Sequence, residues 1–353
     1  MNTSKNNIIK LTIIVLFLIF VSVFIYFYKI SSNESNKTES QLQKMGKFGS
    51  SLGFAYDIAV FDSLIIIIDK KPISNNKFIQ VFNSEGKPLY NFGEQGQGPN
   101  EIVSPKKIDF EPSSKTFFWI YDLIQYRLTK FSIYGDSTGE FITLKEGMPY
   151  SPVILDENKI ISPGFALTSN FLGCYDSSGH LIKEIGEIPP GKKENTPIPV
   201  HLVAYQSKVR KSFDCSKIIV APLFTNSIEI YQADGTLLKR FYYGSKFLPI
   251  YETVGVGEHP VMSLNDKKTN VGFLDICLTK DKIYALYSGR SLNEYKDRAS
   301  FGNTIIVFDL DGNLLRTYNT KEEIYLIAVN KEESTLYGAQ EDENEPILIY
   351  SLK

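Results

Sequence analysis

Apolar and polar positions alternate along this chain in short runs, and the runs come in pairs around a glycine-containing turn. Thr304–Thr320, TIIVFDLDGNLLRTYNT, shows the unit. Ile305, Val307 and Phe308 suit a pleated, partly buried surface, and Asp311-Gly312 predicts a two-residue hairpin turn with φ > 0. The unit recurs at Phe78–Phe92, Asn170–Gly186 and Ser227–Gly244, more loosely at Arg127–Leu144, and as ILIYSLK at the C-terminus, where it stops before a turn. Two further strand-like runs precede each hairpin, as with FAYDIAV (Phe54–Val60) and SLIIIID (Ser63–Asp69), or VGFLDICL (Val271–Leu278) and DKIYALY (Asp281–Tyr287). No sustained helical period follows residue 45.

Units of four short antiparallel strands, six times over at a period of roughly 50 residues, predict an all-β fold, a six-bladed β-propeller. The last unit supplies only three strands. Gln41–Phe48 is the segment expected to complete it, because an unclosed ring leaves sheet edges exposed. Strands A to D of an up-and-down blade place the A–B and C–D turns on one face and the B–C and D–A connections on the other. The A–B and C–D turns are mostly short. Gly93–Ser104, Glu187–Val203, Ser245–Asn270, Ser288–Asn303 and Gln340–Glu345 are the long segments, and all fall on the second face. Elaboration on one side of a rigid scaffold is the usual layout for binding.

Leu11–Tyr28, LTIIVLFLIFVSVFIYFY, is an uncharged apolar run of the length that crosses a bilayer as a helix. Lys5 and Lys10 precede it, so the positive-inside rule leaves the N-terminus in the cytoplasm and exports the remainder. The domain reading is therefore a stub and transmembrane anchor over 1–32, a polar linker over 33–43 and the propeller over 44–353. A cleaved signal peptide is the alternative, but Ile30 and Ser32 make a poor cleavage site. The expected location is the cytoplasmic membrane, single-pass, with the propeller on the extracytoplasmic side.

Composition removes several function classes. A net charge of −2 gives no field for nucleic acid. Twenty-four Phe and 21 Tyr against a single Trp favour strands. Cys174, Cys215 and Cys277 are an odd, scattered set and read as free thiols. His180, His201 and His259 lack metal-ligand spacing, so no metal or other cofactor is expected. Asp309–Asn313, DLDGN, resembles the start of a calcium loop, but no Glu stands at its twelfth position and sister hairpins share the site, so it reads as a turn. No nucleophile elbow or paired-acid motif stands out, and no catalytic residue is assigned.

The segment Phe92–Glu101, FGEQGQGPNE, joins the first two units, with Gly96 and Gly98 permitting φ > 0 and Pro99 stiffening the approach. It reads first as a structural crossing loop, with presentation of Asn100 and Glu101 as the functional alternative. Together with Ala204–Phe241, this Gly-x-Gly-Pro-x-Glu loop resembles the TolB-like six-bladed propellers of the Bacteroidetes over about Gly46–Lys353. The resemblance implies the fold and an exported location, with no established chemistry. Many such proteins carry an N-terminal lipoprotein cysteine, which this chain lacks. Residues at or just before the inner-strand starts are expected to surround the channel mouth: Asn100, Glu101, Lys106, Tyr150, His201, Tyr205, Arg210 and Asn270. Their mixture of charge and aromatic rings suits a polar ligand, such as a glycan or peptide, or a partner protein's loop. A non-enzymatic binding or interaction module is the leading reading, and a carbohydrate- or ester-active hydrolase or lyase is the alternative. An enzyme should show convergent carboxylates or a metal cluster, and a binder an aromatic-rich patch.

Overall fold

The computed structural model describes residues 39–353 apart from Ser74, Asn75, Pro99, Pro112, Ser113, Lys115, residues 256–259 and Glu343. The expected anchor Leu11–Tyr28 lies outside the described residues, as does His259. Among the described residues no helix is long and apolar enough to cross a membrane.

Six antiparallel sheets form the blades of a closed propeller. Their innermost strands are Ala55–Phe61, Pro105–Phe110, Val153–Asp156, Ser207–Lys211, Phe273–Leu278 and Leu326–Val329, numbered here as blades one to six. The second strand of a blade is covered on both sides, and its sequence says so. In Leu64–Asp69, Ile65 and Ile67 pack toward blade six while Ile66 and Ile68 pack toward blade two, so a continuous apolar run replaces alternation. Each such isoleucine is fully buried and contributes about 1.5–3 kcal/mol. The core is accordingly divided into six wedges, one between each pair of neighbouring blades.

Closure follows the expected route. Gln43–Phe48 is the outer strand of blade six, antiparallel to Ile347–Ser351. Glu39–Gln41, within the stretch read as linker, adds a parallel fifth strand to the outer edge of blade five, Leu314–Ile324. Leu42 between them is buried.

The hairpin turns differ from expectation in one respect. They are three-residue loops: Gly312 N–H donates to the Asp309 carbonyl and Asp309 N–H to the Asn313 carbonyl. Positive φ falls on the glycine alone, at 75° for Gly312, the arrangement of a type I turn followed by a bulge. The Asp309 carboxylate occupies itself with the N–H groups of Asp311 and Asn313, which is why Asp311 needs no unusual conformation. Blades one to four repeat the bonding at Gly86, Gly135, Gly179 and Gly235. Space imposes glycine as well, since a Cβ on Gly312 would lie 2.5 Å from the Phe241 ring of the preceding blade.

Helix is present where none was expected. Ile198–Ala204 forms a short helix in the connection between blades three and four, and Leu292–Tyr295 with Lys296–Ser300 forms helical turns in blade five's B–C loop. One or two turns are too short to show a period, and Pro199 in the first turn presets the backbone. A hairpin, Tyr251–Val254 with Val261–Leu264, lies between blades four and five. All of these sit on the long-loop face.

Candidate functional site

An innermost strand has one edge without a neighbouring strand, so its N–H groups need other partners. Three aspartates supply them across the blade gaps. Asp57 accepts from Ile108 N–H at 2.8 Å, Asp109 from Ile154 N–H at 2.8 Å and Asp275 from Ile327 N–H at 3.1 Å. Each joins its blade to the next.

Blade four answers these carboxylates with cations that cross the channel. Arg210 lies 2.7 Å from Asp57, in the opposite blade, and 3.7 Å from Asp275. Lys211 lies 2.6 Å from Asp109 and donates to the Phe110 carbonyl at 2.7 Å. Burial opposes the Arg210 charge, but Asp57 and Asp275 outweigh it and hold the guanidinium above its ordinary pKa. Buried Lys107 donates to the Pro152 carbonyl at 2.7 Å, and burial pulls its pKa well below the usual lysine value. Lys208 stands 3.6 Å from Asp275. The channel centre is thus filled by an ionic plug, in which Asp275 Oδ1 is buried without a hydrogen bond among the described residues and meets Lys208 and Arg210 only at 3.6 and 3.7 Å.

Above the plug, toward the long-loop face, the balance changes. Lys106 approaches the Tyr56 hydroxyl at 3.5 Å and takes part in no ion pair among the described residues. Burial, and then the nearby Lys208 charge, lower its pKa to about 8. Lys70 lies over the Tyr56 ring at 3.5 Å. Phe54, 39% exposed, stacks on Tyr325 with centroids 5.5 Å apart, and Phe301 meets the Tyr325 ring edge-on. Arg298 covers Phe301 at 4.2 Å. Cations and aromatic rings therefore line the mouth between blades five, six, one and two.

Of the eight residues expected at this mouth, Lys106 and Arg210 lie in the channel. Three are corrections. Tyr150 is 2% exposed, stacked on Phe165. Fully buried His201 bonds the Tyr251 hydroxyl through Nδ1 and the Pro189 carbonyl through Nε2, and burial lowers its pKa. Buried Tyr205 donates to the Pro190 carbonyl. The inner strand of blade four begins at Ser207, so His201 and Tyr205 belong to the helix and its end, which pack into the core. Exposed Asn100 and half-buried Glu101 sit in a loop folded on itself, where the Glu101 carboxylate accepts from Gly98 N–H at 2.8 Å. Arg127 of blade two donates to the Gly98 and Glu101 carbonyls. Asn270 bridges to Ser291 on the neighbouring loop.

Sequence reasoning missed Asp57, Asp275, Tyr56, Phe54, Lys208 and Tyr325. A signal for the aspartates was present: YDIA, KIDF and FLDI each set one carboxylate inside an apolar inner strand. The aromatic mouth carries no comparable mark, because Phe and Tyr are abundant throughout.

A closed six-bladed ring with a plugged channel and an elaborated face defines the class. The sequence model of the TolB-like 6-blade propeller-like family matches residues 31–332, and the chain belongs to that family. In three dimensions it is similar to a member of the DUF4221 family from Bacteroides vulgatus, with a TM-score of 0.56 at 10% identity over 88% of this chain and 97% of that one. It also aligns with the Cps50 (Swd1) β-propeller domain of Myceliophteria thermophila, with a TM-score of 0.47 at 8% identity over 88% of this chain and 100% of that one. No curated protein matches the chain in sequence.

Proposed function

We propose that this protein is an extracytoplasmic binding module, held at the membrane by Leu11–Tyr28, that takes an acidic group of a ligand or partner protein at its channel mouth. The observation that carries the reading is Lys106: a half-buried ammonium beside Lys208, with a tyrosine hydroxyl in place of a carboxylate. Four cations, Lys106, Lys208, Arg210 and Lys211, face three aspartates along the channel. A carboxylate arriving from outside offsets that surplus, and the Phe54–Tyr325 pair supplies apolar contact beside it. The hydrolase or lyase alternative needs a carboxylate pair free to exchange protons. Asp57 and Asp109 are each held by a backbone N–H and a hydrogen-bonded cation, and Asp275, whose Oδ1 has no hydrogen bond, has no second such carboxylate among the described buried residues to pair with.

The test is thermal stabilisation of the full chain in lipid nanodiscs by an oligoglutamate peptide, with oligolysine as the control. Stabilisation by oligoglutamate alone, weakened about tenfold in affinity by Lys106→Gln, is expected. Equal responses to both peptides, or none, overturn the reading. Location is tested separately: protease added outside spheroplasts should digest the propeller, and its survival would place the propeller in the cytoplasm.

A further inference from the structure

The geometry points to a phosphomonoester with an apolar substituent as the ligand of the channel mouth, an inference that rests on the reading just given and narrows it from acids in general to one class. Its basis is a second cation that the fold leaves unanswered. Lys70 stands over the Tyr56 ring, with Nζ 3.5 Å from the centroid, and takes part in no ion pair among the described residues. The carboxylate beside it in sequence is already committed. Buried Asp69 accepts from the N–H groups of Gly53, Phe54 and Lys71, each at 2.9 Å. Lys70 N–H in turn donates to the Phe54 carbonyl at 2.9 Å, which fixes the lysine beside the start of the strand that carries Tyr56.

Three donors thus surround one phenol. Lys106 Nζ lies 3.5 Å from the Tyr56 oxygen and 5.9 Å from the ring centroid, so it sits beyond the hydroxyl while Lys70 sits over the ring face. Lys106 donates to that oxygen, and the Tyr56 O–H has no acceptor among the described residues. A group seated at the hydroxyl therefore meets two ammonium ions and one O–H donor. A carboxylate brings them one negative charge and two oxygens. A phosphomonoester brings about 1.5–2 negative charges and three acceptor oxygens, matching the donors in number and the ammonium ions in charge. Its fourth oxygen carries the substituent, and an exposed ring stands within reach. The Phe54 centroid is 6.5 Å from that of Tyr56. Phe54 stacks on Tyr325, is 39% exposed and has no cation over its ring among the described residues. An apolar substituent covers that surface and removes it from water.

The test is calorimetric titration of the full chain in lipid nanodiscs with phenyl phosphate, inorganic phosphate and phenylacetate, beside the oligoglutamate peptide. Phenyl phosphate should bind about tenfold tighter than phenylacetate, the effect of one further hydrogen bond to a charged group. Lys70→Gln and Tyr56→Phe should each weaken phenyl phosphate about tenfold with an unchanged melting temperature, and Lys70→Arg should retain it. Inorganic phosphate should bind more weakly than phenyl phosphate, and Phe54→Ala should close that gap by lowering phenyl phosphate alone. Inorganic phosphate binding as tightly as the ester would assign the site to the free ion and overturn the inference. So would phenylacetate binding as tightly as phenyl phosphate, or a Lys70→Gln variant with unaltered affinity. Oligoglutamate binding without a preference for phosphate overturns this inference and leaves the reading of the mouth in place. Silence toward every anion overturns both.

Discussion

The loop at Glu101 and the channel mouth at Lys106 lie five positions apart in sequence and reach opposite outcomes. Glu101 turns back onto Gly98, and Arg127 ties down the carbonyls around it. Its polarity is consumed internally. Lys106 points into a channel whose carboxylates already face other cations, and its charge meets Lys208 and a phenol. A charged residue on an elaborated face marks a site when the fold leaves its charge unanswered. The glycine-rich loop drew the eye because its composition is unusual, yet that composition serves the loop's own geometry.

Three variants break or sharpen the contrast. Arg210→Ala has the largest expected effect. It strips buried Asp57 and Asp275 of a counter-charge and should cost about 3–5 kcal/mol in chemical denaturation. A loss near zero would mean that the plug is not part of the fold's stability. Glu101→Ala should cost about 1 kcal/mol by freeing Gly98 N–H, while leaving affinity for the oligoglutamate peptide unchanged. A fall in that affinity would return Glu101 to the site. A third test is the pH dependence of Lys106. Its folded pKa, about 8, lies below the ordinary 10.5. Below pH 8 both folded and unfolded chains hold the proton, and the folded state bears the full burial cost. Between about 8 and 10.5 the unfolded chain binds more protons, so stability rises with pH. Lys106→Gln should flatten that rise, measured as the stability difference between pH 7.5 and 10.5. An identical slope in the variant would show that Lys106 is hydrated like an ordinary surface lysine.

The ring itself was legible because each blade repeats the same local signals. Turn glycines, a buried second strand such as SLIIIID and the missing last strand all follow from nearest-neighbour chemistry. What stayed hidden depends on contacts distant in sequence. Asp57 and Arg210 are separated by 153 positions, and no local pattern pairs them. The helix Ile198–Ala204 arises within the long connection Glu187–Val203, which shows no helical period, and it carries His201 and Tyr205 into the core. Boundaries were the weak link at the site: the inner strand of blade four begins at Ser207, and the helix before it makes His201 and Tyr205 structural.

The N-terminal seal has a mechanical side. Glu39–Gln41 runs parallel to the outer strand of blade five, and Gln43–Phe48 runs antiparallel to Ile347–Ser351. Both travel from the short-turn face toward the long-loop face. Tension applied through the residues before Glu39, from the short-turn side, therefore acts along both ladders in shear. Their hydrogen bonds share the load together instead of parting one by one. The chain enters at Glu39 on the short-turn side, opposite the long-loop face and its channel mouth. One short stretch thus closes the ring and loads both ladders together under a pull.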